Sequence, residues 1–127
     1  MDKVPMDKVP DKDELVSGFL LELRRGTLIL CVLAKLRRPA YGYSLIAQLA
    51  RRGMAIEANT LYPLLRRLEG QGLLESSWNT EGAKPRKYYA ATGFGLEVLE
   101  ALERHWRDSA RTMDDILKEV HNDTRTD

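Results

Sequence analysis

Asn59-Thr60-Leu61-Tyr62-Pro63-Leu64-Leu65-Arg66-Arg67-Leu68-Glu69-Gly70-Gln71-Gly72 is the stretch whose reading decides the fold. At about 100° per residue, Leu61, Leu64, Leu65 and Leu68 share one stripe of a helix. Asn59, Pro63 and Arg66 point the opposite way, and Tyr62 and Arg67 lie on the flanks. Asn59 or Thr60 suits the N-cap, and Pro63 is tolerated only near the first turn. Gly70 and Gly72 suit the C-terminal end. The stretch therefore predicts a short helix, anchored by leucines, with a polar and doubly basic outer face. Taken alone, such a helix is usually a solvated surface helix.

Its neighbours change the weight of that reading. Leu73 to Trp78 and Arg86 to Ala91 read as two strands. Asn79-Thr80-Glu81-Gly82-Ala83-Lys84-Pro85 joins them, and glycine and proline make it a loop. A two-stranded hairpin needs a surface to pack on. Leu73, Leu74, Trp78, Tyr88 and Tyr89 are expected to supply part of it, with Tyr88 and Tyr89 on alternate faces. A basic helix followed by a basic hairpin is the order of a recognition helix and its wing.

Upstream, Tyr41-Gly42-Tyr43-Ser44 opens a helix through about Arg52, with Leu45, Ile46 and Leu49 facing inward. Met54 to Ala58 connects it to the basic helix. Thr27 to Arg38 is apolar almost all round and predicts a buried central helix, with Thr27 as N-cap and Pro39 preventing continuation. Asp11 to Arg25 places Leu15, Val16, Phe19, Leu20 and Leu23 at helical spacing, and Gly26-Thr27 is expected to break the chain between these two helices. Two short helices separated by a turn, lying on a third, form a helix-turn-helix pattern.

Beyond the hairpin, Thr92-Gly93 caps a long helix to about Val120. Leu99, Trp106, Met113 and Val120 are seven apart, and Leu102, Ser109 and Ile116 follow three later. This is an a/d seam, widened by Ala110 and Leu117. The seam predicts a homodimer through Leu99, Leu102, Trp106, Met113, Ile116, Leu117 and Val120. The fold class is mainly α with a small β-hairpin wing: a winged helix-turn-helix plus a long C-terminal dimerisation helix. The expected organisation is a flexible tail over residues 1–12 containing Met-Asp-Lys-Val-Pro twice, an N-terminal helix and DNA-binding unit over 13–92, a dimerisation helix over 93–121, and a second tail over 122–127.

The 127 residues suffice for one domain with a modest core. No run of 18 apolar residues occurs, and the N-terminus lacks the apolar stretch of a signal peptide, so no membrane partner and a cytoplasmic location are expected. The single cysteine excludes an internal disulfide framework. Net charge is only +1, but it is unevenly placed. Lys35 to Tyr88 holds ten basic residues against four acidic ones, a net +6, which leaves −5 for the remainder. Clustered positive charge attracts phosphates even in a nearly neutral chain.

The chain resembles the PadR family of transcriptional regulators. The residues carrying the resemblance are Arg25-Gly26-Thr27-Leu28, Tyr41-Gly42-Tyr43, Asn59 to Glu69, Gly72-Leu73-Leu74 and Arg86-Lys87-Tyr88-Tyr89-Ala90-Ala91-Thr92. The single C-terminal helix looks like that of the family's shorter subgroup. The resemblance implies a homodimeric winged-helix repressor of palindromic operator DNA that responds to a small, often aromatic or planar, compound. In the short subgroup it further implies an apolar cavity at the dimer interface, lined by a tryptophan of the C-terminal helix. Trp106 falls at the corresponding place.

The residues expected to touch double-stranded DNA are Tyr41, Tyr43, Ser44, Asn59, Thr60, Tyr62, Pro63, Arg66, Arg67, Lys84, Arg86 and Lys87. Those near the start of the basic helix reach base edges and phosphates. Lys84, Arg86 and Lys87 form the wing and supply salt-dependent affinity. Core packing and phosphate contact both stand open for Tyr43. The effector residues are Trp106, Ser109, Ala110 and Met113, with ordinary seam packing as the competing role of Trp106. No carboxylate pair, Cys-His pair, phosphate loop or metal-spaced cluster stands out, so neither an enzyme, a cofactor nor a metal is expected. Two other readings compete: a winged-helix protein-interaction module without specific DNA binding, and a redox sensor through Cys31, whose apolar surroundings argue against reactivity.

Overall fold

The computed structural model describes residues 9–123. Residues 1–8, which hold most of the Met-Asp-Lys-Val-Pro duplication of residues 1–10, and the final residues 124–127 lie outside that range, and so do most of the two expected tails. The elements run α1 (Lys12–Lys35), β1 (Ala40–Tyr41), α2 (Gly42–Arg51), α3 (Ala58–Gly70), β2 (Leu74–Asn79), β3 (Arg86–Ala91) and α4 (Gly93–Asp123). This is a winged helix-turn-helix with a long C-terminal helix. The strands form an antiparallel sheet in the order β1-β3-β2. Leu74 faces Ala91 at its base, and Asn79 faces Arg86 near the wing tip.

The core is built where the leucine stripes meet. Leu33 and Leu36 of α1 and its C-cap, Leu45 and Leu49 of α2, and Leu61, Leu65 and Leu68 of α3 are almost wholly buried. Leu73, Leu74 and Tyr89 close the core on the sheet side. Each such side chain contributes about 1.5–3 kcal/mol relative to exposure. Tyr89 is the core tyrosine and Tyr88 is on the outer face, as strand alternation requires.

The structure corrects the sequence reading in α1, in α3 and in the sheet. Gly26-Thr27 does not break the chain, because α1 is one helix of 24 residues. The apolar residues change side there: Leu15, Val16, Phe19, Leu20 and Leu23 share one face, while Leu28, Ile29, Val32, Leu33 and Leu36 share another. A helix can continue through that change, since Gly26 costs only about 1 kcal/mol. Thr27 is no N-cap: its Oγ1 donates to the Arg24 carbonyl at 3.2 Å, a bond internal to the helix. α1 also stops at Lys35, so Arg37 and Arg38 lie beyond it, and the Arg37 Nε donates to the Ala34 carbonyl at 3.0 Å.

The remaining corrections concern α3 and the sheet. The N-cap of α3 is Glu57, with no side-chain bond, so Asn59 and Thr60 are in its first turn. Pro63 therefore lies deeper than the first turn, and its missing N–H leaves the exposed Asn59 carbonyl without an α-helical donor. The expected two-stranded hairpin gains a third strand, β1, whose Ala40 and Tyr41 pair with Tyr89 and Tyr88. Trp78 does not pack beneath the sheet, because it is 64% exposed.

Two expected boundaries hold with a visible cause. Gly72 adopts φ +81°, the left-handed turn that follows α3. Thr92 caps α4: its Oγ1 accepts from the Gly95 N–H at 2.9 Å and donates to the Gly72 carbonyl at 2.7 Å. One hydroxyl thus joins the turn after α3 to the start of α4.

Candidate nucleic-acid interface

α3 is held by its leucines with its other side in solvent. Asn59, Thr60, Pro63, Arg66 and Arg67 are all exposed. Neither arginine has an acidic partner among the described residues. Tyr62 is different. It is half-buried, and a Cβ added at Gly42 would come within 2.5 Å of its ring and hydroxyl. Gly42 thus gives α2 and α3 their close approach, and Tyr62 is a spacer between them.

The start of α2 contributes the second group. Tyr43 is 75% exposed, which removes core packing from its two readings. Ser44 is half-buried and accepts a hydrogen bond from Gln48 Nε2 at 3.1 Å. Tyr41 precedes the helix as its N-cap, with extended backbone and no side-chain capping bond. Its ring lies under the Arg86 guanidinium, whose Cζ is 4.5 Å from the ring centroid, and meets Tyr88 edge-on at 5.5 Å.

The three wing cations do not act as one group. Lys84 is exposed in the loop after an Asn79 turn, where Asn79 Oδ1 accepts from the Glu81 N–H at 2.9 Å. Arg86 lies on the outer face over Tyr41. Lys87 belongs to the inner face, as alternation along β3 demands. Its Nζ is 3.8 Å from Glu69 Oε1 and 5.4 Å from the Tyr89 ring centroid. Glu69 also accepts a hydrogen bond from Ser76. Glu69 therefore links α3 to β2 and β3, a role the sequence reading missed. The signal was available: Glu69 is the one acid on a helix otherwise carrying only bases.

A further basic contribution was also missed. Arg24 and Arg25 of α1 line, with Ile56, Glu57 and Thr60, a cleft of about 660 Å³ beside the first turn of α3. They are outside the Lys35–Tyr88 segment in sequence and join its surface only through folding.

The seam residues divide into two sets. Leu99 and Leu102 are half-buried against the core of their own chain. Trp106, Met113, Ile116, Leu117 and Val120 continue the same stripe and are about half exposed. The expected effector residues Trp106, Ser109, Ala110 and Met113 form an open face, with only Ala110 half-covered. Cys31 is half-buried, and burial pushes its thiol pKa up, partly offset by the Lys35 ammonium. A raised thiol pKa disfavours the reactive thiolate. Among the described residues, no group of three or more His, Cys, Asp or Glu is placed to hold a metal ion, and no helix is long and apolar enough to cross a membrane.

Solved structures share this fold. A structure of a PadR family transcriptional regulator from Eggerthella lenta superposes with a TM-score of 0.79 at 55% identity, covering 83% of this chain and 94% of that one. A PadR-like transcriptional regulator from Bacillus cereus gives a TM-score of 0.69 at 30% identity, covering 76% and 96%. The transcriptional regulator Rv3488 of Mycobacterium tuberculosis is 37% identical over 71 residues, which are 56% of this chain and 66%, just under two thirds, of that protein. Residues 29–101, from the core half of α1 into α4, match the profile of the Transcriptional regulator PadR-like family, and the chain belongs to that family.

Proposed function

We propose that the protein is a homodimeric repressor that binds operator DNA and is released by a small planar effector. The observation that carries the DNA reading is the unpaired Arg66 and Arg67 on the exposed side of α3, with Tyr43 exposed on α2 and Lys84 exposed in the wing loop. In this reading α3 enters the major groove with Asn59, Thr60 and Arg66 toward base edges. Tyr43, Ser44, Arg67, Lys84 and Arg86 hold the phosphates and Pro63 faces the DNA from the exposed side of α3, while Tyr62 and Lys87 fix the helix and wing that present them. Two copies join along the open stripe of α4, which doubles the reading heads and matches a palindromic site.

The test is fluorescence anisotropy of the purified protein with the duplex upstream of its own gene and with a random duplex, at two salt concentrations. Tighter binding to the first, weakening steeply with salt, is the expected result. Equal and weak binding to both favours an operator elsewhere, and then the protein-interaction reading.

The effector part is tested separately. Trp106 and Met113 are 48% and 53% exposed on the stripe that dimerisation would cover. Their facing copies would form an apolar slot for a flat ring. A planar aromatic dye should quench Trp106 fluorescence and release DNA. Trp78 is too exposed to leave in place, so the titration uses a Trp78→Phe background. Absence of quenching across a dye panel would assign Trp106 to seam packing alone.

A further inference from the structure

Tyr41 occupies a junction of three elements. Its backbone forms β1 and pairs with Tyr88 of β3, it immediately precedes α2, and its ring carries the Arg86 guanidinium. Tyr88 meets that ring at 5.5 Å with an interplanar angle of 61°, and so supports it from the sheet side. A guanidinium carries five N–H donors, and contact with one ring face engages only the side of the cation turned to that ring. The ring contact at 4.5 Å therefore restrains the cation and leaves N–H donors for a phosphate. The adjacent Lys87 has the opposite arrangement, since its ammonium is already paired with Glu69.

We propose that Tyr41 is a positioning residue for DNA binding. Its ring, rather than its hydroxyl, is the platform that holds Arg86 beside the start of α2 and delivers it to a backbone phosphate. The aromatic stack also couples the wing to the helix-turn-helix, so that both engage the same strand in fixed relation. This inference rests on the DNA-binding reading above.

The experiment compares wild type with Tyr41→Phe, Tyr41→Leu, Arg86→Ala and the Tyr41→Leu/Arg86→Ala double variant. The probe is the fluorescent duplex upstream of the gene, titrated across a salt series. Arg86→Ala should weaken binding about tenfold, as loss of one charge-assisted hydrogen bond does, and lower the salt slope by about one. Tyr41→Leu should weaken it by about three- to fivefold, the worth of an exposed cation–π contact. Tyr41→Phe should stay within about twofold of wild type, because the stack survives. The double variant should be no weaker than Arg86→Ala alone.

A Tyr41→Phe variant as weak as Tyr41→Leu would overturn the platform and assign the contact to the hydroxyl. Multiplying losses in the double variant would overturn it too, by making the residues independent. The Arg86 Nε–H resonance of the free protein supplies a readout that does not depend on DNA or on the leucine variant folding. An upfield ring-current shift retained in Tyr41→Phe supports the stack, and a random-coil position overturns it. A wild-type protein with no salt-sensitive affinity for either duplex overturns the DNA reading, and the platform's role with it, while the ring-current shift stays in place.

Discussion

The winged-helix body and the two long helices use the same device, a stripe of apolar side chains at helical spacing, and treat it differently. In the body the stripes of α2 and α3 meet those of α1 and the sheet, and Leu45, Leu61, Leu65 and Leu68 are left with almost no exposure. In α4 one stripe runs from Leu99 and Leu102, inside the chain's own core, to Trp106, Met113, Ile116, Leu117 and Val120, which stand open. The N-terminal half of α1 is likewise open at Leu15, Val16, Phe19, Leu20 and Leu23. Contiguous apolar surface of this kind marks an interaction site. The difference teaches that spacing predicts which side chains seek burial, while only packing decides whether one chain suffices.

The sharpest way to break the comparison is to damage the closed region. Leu65→Ala removes a side chain with no exposure at the centre of the core. It should cost about 2–5 kcal/mol of stability, as large-to-small changes in packed cores do. Thermal or urea unfolding measures it, and a loss under about 1 kcal/mol would mean the body is less tightly closed than its burial indicates. The open end should respond otherwise. Ile116→Asp should leave the unfolding of the body nearly unchanged yet weaken dimerisation by more than about 2 kcal/mol, over tenfold in Kd, because it would bury a charge at the seam. Leu99→Asp, on the same stripe but inside the core, should lower stability and association together. Light scattering beside circular dichroism separates the two. If Ile116→Asp stays dimeric, the seam lies elsewhere.

The same distinction explains what the sequence made legible. The leucine stripes of α2 and α3, the turn at Gly72 and the cap at Thr92 are local patterns, and each is found where periodicity and capping chemistry put it. The continuity of α1 was hidden, because the change of apolar face at Gly26-Thr27 resembles a break, although the backbone can stay helical through it. β1 is too short to carry a pattern and exists only because Ala40 and Tyr41 lie beside β3. In the candidate interface, the exposed residues of α3 followed directly from their helical positions. The partners Tyr41–Arg86, Tyr62–Gly42 and Lys87–Glu69 are all contacts between distant elements, which no local pattern encodes.

The smallest effects test the contrast between open and engaged groups within the interface itself. Arg66 is unpaired on the outer side of α3, whereas Lys87 shares Glu69 with Ser76 on the inner side of the wing. Arg66→Ala should weaken operator binding by about 1–3 kcal/mol if it reads a base, with little change in stability. Lys87→Ala should act mainly on the fold. Its ion pair is about one third exposed on both sides, so solvent screening limits the loss to under about 1 kcal/mol. Its effect on the salt slope of binding should be smaller than that of Arg66→Ala, since removing a cation already neutralised by a carboxylate releases fewer counterions. Glu69→Gln supplies the complementary result. Its amide oxygen can still accept from Ser76, but Lys87 loses its counter-charge, and the salt slope should steepen as the freed ammonium reaches for phosphate. An unchanged slope in Glu69→Gln, with a full unit lost in Lys87→Ala, would mean that Lys87 contacts DNA while still paired, and that the inner and outer cations of the wing are equivalent after all.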